Sequence, residues 1–89
     1  NGLRNVDKAL EETIMHLLHS RSCAASICPS EAARKYAGDS DEKKWRPLLE
    51  PTRRAARRLA HRGKISILQD GKSVDPSKFK GPIRFKRIR

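Results

Sequence analysis

Apolar positions recur at helical spacing from about Asn5 to Arg21, with Val6, Leu10, Thr13, Ile14, Leu17 and Leu18 sharing one face. Lys8, Glu11, Glu12, Met15, His16 and His19 fall opposite them, which is the pattern of an amphipathic helix with one buried stripe. Asn5 or Asp7 can cap its start, and the acidic residues of its early turns suit the positive end of the helix dipole. Ser22–Cys28 is small and partly β-branched, long enough only for a brief extended segment. A second helix is predicted over about Ser30–Ala37, with Ser30 as its cap and Gly38 as its stop. Glu42–His61 is again helical in pattern but contains Pro47 and Pro51. Proline is comfortable only in a helix's first turn, so a short helix to about Glu50 and a longer one from Pro51 are expected, with a single kinked helix as the alternative.

The longer helix carries the clearest pattern in the chain. Advancing roughly 100° per residue, Arg53, Arg54, Arg57, Arg58, His61 and Arg62 occupy one half of its surface. Leu48, Leu49, Ala55, Ala56, Leu59 and Ala60 occupy the other, if the turn holding Leu48 is continuous with it. Gly63 ends it. Lys64–Gln69 then alternates as a half-buried strand does, and Asp70-Gly71 is a hairpin-turn signal. Lys72–Lys80 reads as a polar strand and loop tip broken at Asp75-Pro76. Gly81-Pro82 leads back into a strand with Ile83 and Phe85 on one face and Arg84 and Lys86 on the other.

Helix, short extended piece, helix, helix and hairpin is the order of a winged helix-turn-helix: an α+β, mainly helical domain of three or four helices with a C-terminal β-hairpin. A lone hairpin is marginal, so Ile65, Ile67, Ile83 and Phe85 are expected to pack on the helices. The 89 residues are read as one domain, with a core over about 5–86 and flexible ends at 1–4 and 87–89. The segment Gly38–Lys44 is longer than the turn of a tight helix-turn-helix, which bears on how the third helix is presented.

Four ordered motifs resemble an uncharacterised family. They are Cys28-Pro29-Ser30-Glu31-Ala32-Ala33-Arg34, Trp45-Arg46-Pro47-Leu48-Leu49, Arg53 with Ala55-Ala56, Leu59 and Gly63-Lys64-Ile65, and Gly81-Pro82-Ile83-Arg84. The likeness is to small, mostly bacterial domains of unknown function regarded as winged-helix-like, and it covers about residues 10–86. It implies a fold and brings no activity, ligand or catalytic residue. Thr52, Arg54 and Arg58 lie between the motif positions, so their roles rest on physics alone.

Charge sharpens the picture. Residues 1–45 hold seven basic and seven acidic residues, whereas residues 46–89 hold fourteen basic and three acidic ones, which is the whole net charge of +11. Such asymmetry says that the second half faces something negative. No apolar run exceeds the three residues Cys23-Ala24-Ala25, too short for a membrane span, and no secretory pattern follows Asn1. Two cysteines are too few for a disulfide scaffold and favour a reducing, cytoplasmic setting, with association to the bacterial nucleoid if DNA is bound.

The arginine face gives the main functional expectation, because guanidinium forks suit phosphates and guanine edges and their binding releases counterions. The alternative, a merely solvated face, usually interleaves both signs, and here no acidic residue lies between Glu50 and Asp70. The expected nucleic-acid contacts are Arg53, Arg54, Arg57, Arg58 and Arg62 on the helix, with Lys72, Lys78, Lys80, Arg84 and Lys86 on the wing. Arg87 and Arg89 extend that basic cluster into the tail. Aromatic residues are too scarce for a single-strand stacking platform, so Tyr36, Trp45 and Phe85 are read as packing anchors.

His16, His19, Cys23 and Cys28 superficially offer a tetrahedral donor set, yet the spacing fits no zinc motif, so neither metal nor cofactor is expected. No phosphate-binding glycine loop, nucleophile elbow or HExxH motif is present, and so small a domain leaves little room for a substrate pocket. The expectation is a non-enzymatic, weakly sequence-specific duplex-DNA-binding domain. An interaction module for an acidic protein, or RNA binding by the same surface, is the alternative. No membrane or small-molecule substrate is anticipated.

Overall fold

Leu10, Ile14 and Leu18 form one stripe of the first helix, α1 (Asn5–His19), and that stripe is almost wholly withdrawn from solvent. The computed structural model describes residues 4–22, 25–79 and 81–88. Two further helices of two turns or more, α2 (Pro29–Ala37) and α4 (Leu49–His61), join α1, with the single-turn α3 (Glu42–Trp45) between them. Four short strands follow the helices or sit between them: β1 (Ser26–Ile27), β2 (Ile65–Gln69), β3 (Lys72–Ser73) and β4 (Arg84–Arg87). The domain is α+β and mainly helical.

Local chemistry places each boundary and moves several from where periodicity alone set them. α1 stops at His19 rather than Arg21, where the Ser20 backbone N–H returns to the carbonyl of His16. Arg4, not Asn5, is the N-cap, and Asp7 works from three residues inside by accepting the Arg4 backbone N–H at 3.2 Å. α2 begins one residue earlier than expected because Pro29 takes the first helical position and Cys28 the cap. Ser30 therefore lies inside the helix, and Glu31 accepts the Cys28 backbone N–H at 3.4 Å.

Gly38 ends α2 in the left-handed region at φ 69°, with its N–H on the Arg34 carbonyl at 2.9 Å. A Cβ there would meet nothing within 4 Å, so only backbone strain opposes a side chain. Gly38→Ala is accordingly expected to lose about 1 kcal/mol of stability, read from urea unfolding. An unchanged midpoint would mean that α2 does not depend on this cap.

The expected short helical stretch and the longer helix after it are both present, with the boundary two residues earlier than expected, between Leu48 and Leu49. Pro47 sits in a 3-10 turn, Arg46–Leu48, and α4 starts at Leu49 with Pro51 in its first turn, where its missing N–H costs no hydrogen bond. Thr52, wholly buried, donates its hydroxyl to the Leu48 carbonyl at 2.7 Å.

The strands form one antiparallel sheet in the order β1-β4-β2-β3. Asp70 and Gly71 turn β2 into β3 with φ of 53° and 80°, the left-handed pair that matches the twist of a two-residue hairpin. β4 enters between β1 and β2, so Ile27, Phe85 and Ile67 stand in one row across the sheet. All three are buried, and with Ile65 and Ile83 they close against Leu10, Ile14, Leu18, Ala32, Ala55, Ala56 and Leu59. The alanines of α2 and α4 let the helices approach closely.

Phe85 is the anchor that the sequence reading expects, at 0% exposure. Tyr36 is not: it is 38% exposed. Trp45 is half-buried outside the core cluster, with its indole N–H on the Ser40 carbonyl at 3.1 Å and the Arg34 guanidinium over its ring. Among the described residues, no helix is long and apolar enough to cross a membrane.

Candidate nucleic-acid interface

α4 packs on α1, α2 and β2 through Thr52, Ala55, Ala56 and Leu59, and this fixes where its arginines emerge. They do not form one uniform face. Arg54 and His61 lie outermost, both exposed. Arg53 and Arg57, one turn apart, lean towards the segment that joins β3 to β4. The Arg57 guanidinium lies over the Phe79 ring, 4.8 Å from its centroid, and Arg53 borders an open cavity of about 430 Å³ with Pro29, Ser30, Gly81, Pro82 and Ile83. The Nε of each is shielded from solvent and finds no acceptor among the described residues. Glu50 is the acidic neighbour on this ridge, at 4.0 Å from Arg54 and 3.8 Å from Arg57, and it is itself well exposed.

Arg58 and Arg62 take the opposite flank. Arg58 donates Nε to Glu11 at 2.5 Å and Nη2 to the Asp7 carbonyl at 3.3 Å, and Arg62 donates Nη2 to the other Glu11 oxygen at 2.5 Å. This corrects the placement of Glu11 on the polar face of α1, since the residue is 8% exposed and faces α4. A signal was present in the chain: Asp7, Glu11, Ile14 and Leu18 share the helical stripe, so two carboxylates border the buried face. Met15, also assigned to the outer face, packs in part against the core.

The segment between β3 and β4 is folded onto α4. Besides the Phe79–Arg57 contact, the Ser77 hydroxyl lies 3.4 Å from His61 Nε2. Lys78, exposed, is thereby carried beside the arginine ridge, and Lys72 is exposed at the β2–β3 turn. Arg84 and Lys86 alternate with the inward-facing Phe85 and so belong to the outer side of the sheet. Arg84 is engaged there, with Nε on the Ser26 hydroxyl at 2.7 Å and Nη2 on the Ser26 carbonyl at 2.9 Å. Lys80 and Arg89 lie outside the described residues. The nine expected contacts among the described residues thus divide into a ridge of Arg53, Arg54 and Arg57 with Lys78, a flank of Arg58 and Arg62 held by Glu11, and Lys72, Arg84 and Lys86 on the sheet.

A family model described as Protein of unknown function (DUF3253) matches residues 7–88. The chain belongs to the DUF3253 family. No curated protein matches it significantly. The DUF3253 match spans Glu11, the four arginines of α4, Arg62 and β2 to β4.

Within this DUF3253 domain the carboxylates that hold α1 and α2 in place share one electrostatic trend. Burial pushes the Glu11 carboxyl up, but the hydrogen bonds and charges of Arg58 and Arg62 outweigh it and hold it below its ordinary value. The Arg4 backbone N–H lowers Asp7, and the Arg21 guanidinium, 2.5 Å away, lowers Glu31. A group with a depressed folded-state value contributes stability above its unfolded value and loses it as pH falls through the folded one. The domain is therefore expected to keep its stability from neutrality down to about pH 4.5 and to lose it progressively below, read as a falling Tm by circular dichroism. A Tm flat from pH 5 to pH 2.5 would contradict these pairings.

His19 Nδ1 lies 2.8 Å from the Met15 carbonyl, and Cys28 Sγ lies 3.0 Å from the Ser30 hydroxyl. Cys23 lies outside the described residues. Among the described residues, no group of three or more His, Cys, Asp and Glu side chains is arranged to hold a metal ion.

Proposed function

We propose that this chain is a winged-helix domain that binds duplex nucleic acid, DNA ahead of RNA, through phosphate contacts from the open ridge of α4 and the wing beside it. One observation carries this reading. Arg53, Arg54 and Arg57 gather on one ridge of α4 beside the exposed Lys78, and the acidic group paired with Arg54 and Arg57 there, Glu50, is itself exposed and 3.8–4.0 Å away. Cationic groups of one sign gathered on one ridge favour an external polyanion. The sheet order β1-β4-β2, with α1 and α4 packed against it, supports α4 as the element presented to the major groove.

α4 holds arginine but neither asparagine nor glutamine, the residues that read adenine edges, so the contacts favour backbone over sequence. The test is a titration of the chain into two 20-base-pair DNA duplexes of unrelated sequence, the matching RNA duplex and polyglutamate, at two salt concentrations. Both DNA duplexes are expected to bind alike, with Kd on the order of 10⁻⁴–10⁻⁶ M at physiological salt and strong weakening as salt rises. Polyglutamate binding as tightly as DNA at either salt would replace this reading with an acidic-protein partner.

A further inference from the structure

Glu11 gives each of its two oxygens to a guanidinium of α4, Oε2 to Arg58 and Oε1 to Arg62, both at 2.5 Å. Its side chain is only 11% exposed, whereas Arg58 and Arg62 still reach solvent, at 26% and 48%. Glu50, by contrast, stands 3.8–4.0 Å from its arginines and is 54% exposed. Glu50 is easily displaced. Glu11 is anchored on a helix whose buried stripe fixes where its carboxylate can be.

An anionic group with two oxygens, each taking a charged hydrogen bond from an arginine, is also what a backbone phosphate would present to these side chains. We propose that Glu11 is a built-in competitor of nucleic-acid phosphate, holding Arg58 and Arg62 back so that the domain engages fewer phosphates than Arg53, Arg54, Arg57, Arg58 and Arg62 together allow. The inference rests on the duplex-binding reading above. With Glu11 in place the trio carries +1 instead of +2, and a phosphate approaching this flank must displace a carboxylate that cannot diffuse away. Counterion release per contact is correspondingly smaller there than at Arg53, Arg54 or Arg57. Glu11 therefore sets the footprint: the open ridge and wing bind, and the α1 flank stays closed.

The experiment compares wild type, Glu11→Gln and Glu11→Gln/Arg62→Ala on one 20-base-pair DNA duplex over 50–200 mM salt. Loss of the carboxylate charge is expected to tighten binding at low salt and to steepen the slope of log K against log salt by about 1–2, since each phosphate gained adds roughly 0.9. Removing Arg62 as well should return about half of that gain. A purely structural pair predicts no gain in slope, so an unchanged or shallower slope in a folded Glu11→Gln protein overturns the inference. Should that variant fail to fold, wild type decides alone: on adding duplex, the Nε–H resonances of Arg54 and Arg57 are expected to move while that of Arg58 stays in place. An Arg58 resonance that moves as far as theirs overturns it equally. Absence of any salt-dependent duplex binding by wild type would instead remove the functional reading and this inference with it.

Discussion

Phe85→Ala is expected to cost about 3–5 kcal/mol and to leave the domain largely unfolded at 37 °C. Phe85 is fully buried at the centre of the sheet, between Ile27 on β1 and Ile67 on β2, and its ring is the piece on which the helices and sheet meet. A domain of this size is held by roughly 5–15 kcal/mol, commonly near the lower end, so one such cavity takes most of the margin. The neighbours collapse poorly into the gap. Ile27 and Ile67 are branched and fixed by strand geometry, and Ala32, Ala55 and Ala56 have no side-chain length to extend. Urea unfolding followed by circular dichroism measures the loss. Ile88→Ala, at a 48% exposed position, is the matched control and should stay within about 0.5 kcal/mol. A Phe85→Ala protein within about 1 kcal/mol of wild type would mean that the sheet does not depend on its central ring.

The largest effect on binding is expected from the triple variant Arg53→Ala/Arg54→Ala/Arg57→Ala. Each of these side chains stands on the outer or wing-facing side of α4, and none contributes to the buried set Thr52, Ala55, Ala56 and Leu59. Alanine also favours helix, so the scaffold should persist. Three lost phosphate contacts reduce the salt slope by roughly 2–3 and weaken duplex binding on the order of 10²-fold at 0.1 M salt. The loss should be the same on unrelated sequences, because the contacts are to backbone. Wild-type affinity and slope in this variant would remove α4 from the interface and leave the sheet's outer face, with Arg84 and Lys86, as the basic surface to test.

The helices and hairpin were legible because their signals are local. Period-3.6 stripes, Pro29 at a helix start, Gly38 at a helix end and Asp70-Gly71 at a turn each act within a few residues. Phe85 was legible as core for the same reason, alternating with Arg84 and Lys86 in an otherwise polar strand. Tyr36 and Trp45 were misread because aromatic scarcity says nothing about where space remains once alanines have brought α2 and α4 together.

By itself, then, the sequence determined an α+β domain with a neutral helical half, a basic second half and a helix of five arginines backed by alanine and leucine. Only the tertiary structure decided which of those arginines a buried carboxylate holds. Arg58 and Arg62 lie 47 and 51 residues from Glu11 along the chain, and no local periodicity can register a pair so separated. Packing α4 across α1 brings the carboxylate to the guanidinium groups, while the segment between β3 and β4 folds back to set Phe79 against Arg57. Charge is written residue by residue; its availability depends on which helices touch.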